Sequence, residues 1–302
     1  MSDRIGPPPQ SVSIDTILPA AMAQRAEAAG VIRAAMDPLA VFVLSILAGA
    51  FISFGAIFAT AVGASVTNLP GEAGSAASLP YGVVRLLMGL VFCVGLILVV
   101  VGGAELFTGN NMLIMAWAGG KVTTKAVLAN WVIAFTGNFI GAIGTAVLMF
   151  ISTQYTFGNG AVGLNALSIA EGKTALAFMP AFTLGIFCNA LVCLAVWMCY
   201  GARTTIDRVV TIIPPISAFV AAGFEHSIAN IYFIPIGLFI KNGAPESFWS
   251  AIGKSPADFP TLAWDNFIFA NLIPVTAGNI VGGSVMVAAV YWFVYLRKKP
   301  AI

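Results

Sequence analysis

Charged side chains are scarce in this sequence. Only 9% of its 302 residues are Asp, Glu, Lys or Arg, against roughly a quarter in an ordinary globular chain. Fourteen basic and twelve acidic groups cannot cover a water-soluble particle of this length, so most of its surface must face lipid. A net charge of +2 provides no basic footprint for nucleic acid, which removes that class of partner. Histidine occurs once, at His226. The four cysteines, Cys93, Cys188, Cys193 and Cys199, sit inside apolar stretches at spacings that match neither a zinc site nor a CxxC redox motif. They read as small buried hydrophobes, and no metal or cofactor is expected. The N-terminus does not read as a signal peptide either, with Asp3, Arg4 and Pro7 to Pro9 and no apolar core after them. Membrane insertion is expected to rely on the later spans.

What is present is apolar, 59% of the chain. A helix needs about 20 apolar residues to cross the hydrocarbon core. Uncharged runs from Pro38 past Val62, over most of Ala126 to Thr153, from Thr174 to Ala202 and from Asn266 to Leu296 each provide one crossing. Two further stretches are interrupted by a carboxylate: Leu86 to Gly120 by Glu105, and Val209 to Ile240 by Glu225. Each is long for one crossing and short for two. A carboxylate at mid-membrane costs about 2.5–3.5 kcal/mol even on insertion scales. Each stretch is therefore read as one discontinuous span, broken where the backbone is buried in protein or lines a cavity. The expected architecture is an all-α membrane protein of six spans, the second and fifth broken.

Basic residues orient the chain. With both termini cytoplasmic, the inner segments hold ten of them, including Arg4, Arg25, Arg33, the Arg203 to Arg208 loop and the Arg297-Lys298-Lys299 tail. The outer segments hold four: Arg85, Lys173, Lys241 and Lys254. Residues 1–37 are expected to form a cytoplasmic segment, residues 38–296 the six-span domain, and residues 297–302 a basic cytoplasmic tail. Within the first segment Asp15 to Met36 reads as a helix lying on the inner membrane surface, with Ile17, Leu18, Met22, Val31 and Ile32 as its apolar face.

The chain also repeats itself. Asn130 to Gly141 and Asn271 to Gly282 share the frame Asn, six residues, Gly-Asn, two residues, Gly, in spans three and six. The broken spans match as well: four residues separate Glu105 from Asn110, and four separate Glu225 from Asn230. Three spans per half start the second half on the opposite membrane face, so the repeats, about 38–153 and 174–296, are inverted. Such folds bring two broken helices together near the midplane. Half-helix N-termini aim backbone N–H groups there, which suits an anion. Glycines 137, 141, 278, 282 and 283 allow close helix packing.

These segments resemble the formate–nitrite transporter family, in particular its formate channel branch. The resemblance is carried by Glu105-Leu106-Phe107-Thr108-Gly109-Asn110, Asn130-Trp131 with Gly137-Asn138, Cys188-Asn189, the run from Gly223 to Pro235, and Asn271 to Gly283. It spans roughly residues 35 to 297 and implies an aquaporin-like protomer, a homopentamer in a bacterial inner membrane, and one pore per protomer. Formate and other small monovalent anions, nitrite and hydrosulfide among them, or their neutral acids, are the substrates it implies. By the same resemblance His226 is the central pore histidine and Thr108 faces it. Lys173 draws anions into the outer vestibule, Asn189 lines the pore, and Phe92, Leu96, Leu106 and Phe219 form apolar rings on either side. Glu105 and Glu225, with Asn110 and Asn230 beside them, are read as support for the helix breaks, each carboxylate accepting backbone N–H groups the break leaves open.

The expected mechanism follows from desolvation. A bare ion in an apolar constriction is costly, and protonating a weak-acid anion removes most of that cost. His226 is placed to hold the anion with Thr108 and to donate, relay or polarise a proton. A nitrite or hydrosulfide channel would use the same site. A neutral-solute channel of the aquaporin type carries Asn-Pro-Ala boxes, and none occurs here. An enzyme finds no cysteine–histidine cluster and no paired metal ligands.

Overall fold

The structure is a computed structural model that describes residue 15, residues 17–64 and residues 79–297. Arg4, the rest of residues 1–14, and Lys298-Lys299 lie outside the described residues. Among the described residues all regular structure is helical. The first half contains α1 (Pro19–Ala34), α2 (Pro38–Gly63), α3 (Tyr81–Gly102), α4 (Ile114–Ala118, led in by a 3-10 segment over Gly109–Leu113) and α5 (Thr124–Ile151). The second contains α6 (Ala161–Thr174), α7 (Phe178–Gly201), α8 (Thr205–Ala222), α9 (Ser227–Gly243) and α10 (Glu246–Ile252). A last span, Trp264–Tyr295, is π-helical over Phe267–Leu272 and Val281–Ala289. Six of these described helices are long and apolar enough to cross a membrane: α2, α3, α5, α7, α8 and the last span.

Local chemistry sets where the spans begin. Asp37 accepts from the Ala40 N–H at 2.9 Å with Pro38 at the first helical position of α2. Thr123 caps α5, and Thr204 and Asp207 cap the start of α8 reciprocally. The two breaks begin alike. α3 stops at Gly103 with φ +75° and α8 at Gly223 with φ +77°, left-handed turns that glycine makes without strain. The first broken span is unequal, however. Twenty-two residues precede its break, and only the 3-10 segment and α4 follow it, whereas α8 and α9 have 18 and 17 residues.

Glycine lets each half close on itself. A Cβ at Gly141 on α5 would meet the Ile46 carbonyl of α2, and one at Gly282 on the last span would meet the Ile186 carbonyl of α7. The same contact thus recurs in both halves, and α3 packs on α8 where the halves meet. Outward faces stay apolar: Val132 is 66% exposed and Phe269 69%.

The first helix has one face on protein: Met22, Ala23, Ala26 and Gly30 are buried against α4 and α7. Of its five expected apolar-face residues, Ile17 and Met22 are buried while Leu18 and Ile32 are exposed. Small residues decide this, since a Cβ at Gly30 would sit 3.0 Å from that of Ala116. Arg33 on α1 then reaches Glu105, and Lys173 on α6 reaches Glu225. α1 is therefore the counterpart of α6, and the repeat begins before residue 38, earlier than the sequence frame placed it.

Candidate functional site

Each break is tied down by the same set of groups. In the first, the Glu105 N–H donates to the Leu44 carbonyl at 3.3 Å. The Glu105 carboxylate accepts from Asn110 Nδ2 at 2.7 Å and Arg33 Nε at 3.2 Å. In the second, the Glu225 N–H donates to the Leu184 carbonyl at 3.4 Å. The Glu225 carboxylate accepts from Asn230 Nδ2 at 2.6 Å, Asn271 Nδ2 at 3.2 Å and Lys173 Nζ at 2.8 Å. Asn110 also donates to Asn130 Oδ1, and Asn230 to Asn271 Oδ1. The asparagines that open the repeated frame therefore each brace a break.

The asparagines nine positions into that frame do more. Asn138 Oδ1 accepts the Phe107 N–H at 2.9 Å while its Nδ2 donates to the carbonyls of Ser45 and Glu105. Asn279 Oδ1 accepts the Ser227 N–H at 2.9 Å while its Nδ2 donates to those of Gly185 and Glu225. The carboxylates were expected to take the open N–H groups; the amides take them instead. A break exposes a donor and an acceptor on neighbouring peptides; an amide side chain offers both partners, whereas an ionised carboxylate only accepts. Glu105 and Glu225 hold cations and amides on the wall of the site.

Two cavities approach one another along α3. The larger, about 410 Å³, is lined by Arg85, Phe92, Lys173, Phe219, Glu225, His226 and Asn230 among others. The smaller, about 220 Å³, is lined by Arg33, Leu96, Glu105, Leu106, Asn110, Tyr200 and Arg208 among others. Along α3 the lining changes from one cavity to the other between Phe92 and Leu96, one helical turn or about 6 Å of rise. The second break opens on the first cavity and the first break on the other, as inverted halves require.

The barrier between them is apolar with one polar pair. Phe92 and Phe219 meet edge to face at 5.6 Å, and Phe219 stacks on the His226 ring at 6.0 Å. Leu96 and Leu106, both 2% exposed, close the other side. His226 Nε2 lies 3.1 Å from Thr108 Oγ1, so a side chain from each break meets at the barrier. The Ala229 N–H donates to His226 Nδ1 at 3.1 Å, so the imidazole caps α9. A backbone N–H only donates, which leaves Nδ1 bare and puts the ring proton on Nε2. His226 is thereby set as a neutral donor aimed at Thr108 and the barrier.

Two other candidates have partners that the sequence did not show. Lys173 lines the larger cavity but is ion-paired there with Glu225; its side chain is 15% exposed, and its ammonium lies 5.5 Å from the Phe233 ring. Asn189 is fully buried and lines neither cavity among the described residues. Its amide is turned toward backbone carbonyls, as packing between α7 and the last span demands. Sequence reasoning missed Arg33, Asn138 and Asn279. Arg33 stands five residues before the start of α2, as Lys173 does before α7, so extending the repeat upstream would have found it.

The family model for formate/nitrite transporters matches residues 20–293. The formate channel FocA of Escherichia coli strain K12 is 44% identical over 285 residues, covering 94% of this chain and 96% of that one. The formate channel FocA of Haemophilus influenzae is 38% identical over 278 residues, covering 92% and 94%. Among solved structures, a pentameric formate channel with formate bound is 44% identical with a TM-score of 0.78, covering 86% of this chain and 98% of that one. An FNT family ion channel is 26% identical with a TM-score of 0.73, covering 90% and 98%.

Proposed function

Since the chain belongs to the formate/nitrite transporter family, we propose that it passes formate through a pore in each protomer of a homopentamer. The membrane is the bacterial inner membrane, and both termini are cytoplasmic. Related small monovalent anions and their neutral acids take the same route. The observation that carries this reading is the Thr108–His226 pair, set at 3.1 Å in an apolar barrier between two cavities whose walls hold cations.

The barrier poses an electrostatic problem. Moving a carboxylate-sized ion into a low-dielectric region costs about 20 kcal/mol in the ideal case and still several after relaxation. A barrier lined by Phe92, Phe219, Leu96 and Leu106 is too apolar to replace the hydration shell of a bare ion. Formate that takes up a solvent proton becomes formic acid, a neutral molecule with one O–H donor and two oxygens to accept. Nε2–H of His226 and the Thr108 hydroxyl supply donors to those oxygens. On the Lys173 side, Asn230 Oδ1 is buried without a partner. Both neighbours of its amide nitrogen are acceptors, so the carbonyl must face away from them. It offers an acceptor for a protic ligand, which suits water or the acid O–H.

In this mechanism His226 acts as a neutral donor. Protonating its second nitrogen would forfeit the helix cap and bury a charge in the aromatic cluster. Lys173 and Glu225 together present a neutral pair whose ammonium still has N–H groups free to meet an anion. Nitrite would meet the same groups, and the family description names it beside formate.

Liposomes holding the purified protein test the reading. Flux of formate is expected to exceed that of glycerol and water by a wide margin, with nitrite and hydrosulfide measured beside it. Glycerol or water flux without formate flux would overturn it.

A further inference from the structure

Thr108 and His226 belong to opposite halves, 118 positions apart, and no stretch of main chain fixes their separation. Asn189 connects the two breaks. Its Nδ2 lies 2.7 Å from the Asn279 carbonyl, 3.3 Å from the Thr108 carbonyl and 3.3 Å from Asn111 Oδ1. The Asn279 side chain in turn grips the peptides on both sides of His226, at the Glu225 carbonyl and the Ser227 N–H. A strap thus runs from the backbone of Thr108 through Asn189 and Asn279 to the backbone flanking His226.

The other half lacks this strap. Ser45 and Gly185 occupy matching places, since each gives its carbonyl to the clamp asparagine of its own half. Four residues on from each stand Gly49 and Asn189. A Cβ at Gly49 would run into the Asn138 carbonyl, so that position has no room for an amide. The asymmetry falls on the half that carries the histidine.

We infer that Asn189 is a positioning residue that sets the Thr108–His226 separation, and that it does not touch the passing molecule. The inference rests on the transport reading for its consequence, because a donor pair misplaced by a fraction of an ångström loses selectivity for a small acid. Its geometric core stands without that reading.

Two variants move the strap by different means. Asn189→Ala removes it. Gly283→Ala keeps the Asn189 amide but displaces it, because the new Cβ would meet Asn189 Nδ2 and would lie 2.8 Å from both Asn111 Cβ and Cys193 Sγ. His226 is the chain's one histidine, so 15N-histidine labelling of the full-length protein, purified with a histidine-free tag, yields a single-site spectrum. In both variants the Nε2 resonance is expected to shift away from its wild-type hydrogen-bonded position while the oligomer stays intact. In liposomes the acetate-to-formate flux ratio is expected to rise about fivefold, the effect of losing one neutral hydrogen bond. An unshifted Nε2 resonance in both assembled variants overturns the inference. So does loss of assembly in both, which would make Asn189 a folding residue. Absence of formate flux in the wild type would overturn the transport reading, while the resonance still decides the strap.

Discussion

At the scale of single residues the site is governed by what each polar group already holds. His226 has committed Nδ1 to the cap of α9, which leaves one donor for the pore. His226→Asn should assemble, because asparagine is a favoured N-cap and its amide nitrogen still faces outward as a donor. If the proton that neutralises the anion comes from solvent, as proposed, formate flux should keep its pH dependence in that variant. A flat pH profile would show that the imidazole itself carries the proton. His226→Leu removes cap and donor together and should lower flux about tenfold or more, the loss of a hydrogen bond to a charged or ionising group. Lys173 makes the complementary case. Lys173→Met strands Glu225, 4% exposed, and should cost about 3–5 kcal/mol of stability. Adding Glu225→Gln should recover most of that loss while uptake at low formate concentration stays impaired. Thermal unfolding in detergent and uptake on the same samples separate the two effects.

At the scale of elements the breaks are the costly features, and their cost is met locally. Gly103 adopts φ +75°, and a Cβ there would meet nothing within 4 Å. Gly103→Ala therefore isolates backbone strain and should destabilise by about 1–2 kcal/mol. Gly144 also has open space around its Cβ position but lies inside α5, and Gly144→Ala should be neutral or stabilising by up to about 1 kcal/mol. Equal effects in thermal unfolding would mean that the left-handed turn is not what ends α3. These expectations show how far the elements were legible. Glu105 and Glu225 each interrupt an apolar run, and a glycine two residues earlier supplies the turn, so both breaks could be read from the sequence. The clamps were only half legible. Asn138 and Asn279 stood out as a repeated frame, but the frame does not reveal that their amides bind peptides on another element, 33 and 54 positions away.

At the scale of the whole molecule, two halves enclose a pair of cavities and a barrier that neither half possesses. Each half brings one break to one cavity, and the barrier exists only where α3 and α8 pack together. Orientation is checked by impermeant thiol labelling of intact cells, since the native cysteines are buried. Lys254→Cys should label from outside and Lys125→Cys only after permeabilisation; both positions are exposed. The reverse pattern would invert the topology drawn from the basic-residue bias.

The sequence by itself determined that this chain lives in a membrane, that its spans number six, and that two of them break. Those outcomes follow from local quantities: apolar length, the cost of a carboxylate in lipid, and the conformations glycine allows. The order of the repeated motifs added the inversion of the halves. Tertiary structure alone decided that Lys173 is paired, that Arg33 stands opposite it on the other cavity, and that Asn189 faces backbone. Each of these depends on contacts between residues far apart in the chain, 52 positions for Lys173 and Glu225, 72 for Arg33 and Glu105, and 81 for Asn189 and Thr108. A sequence records which polar groups are available. Which of them satisfy one another, and which are left to face the pore, is settled only when buried donors and acceptors on separate helices are brought within hydrogen-bond reach.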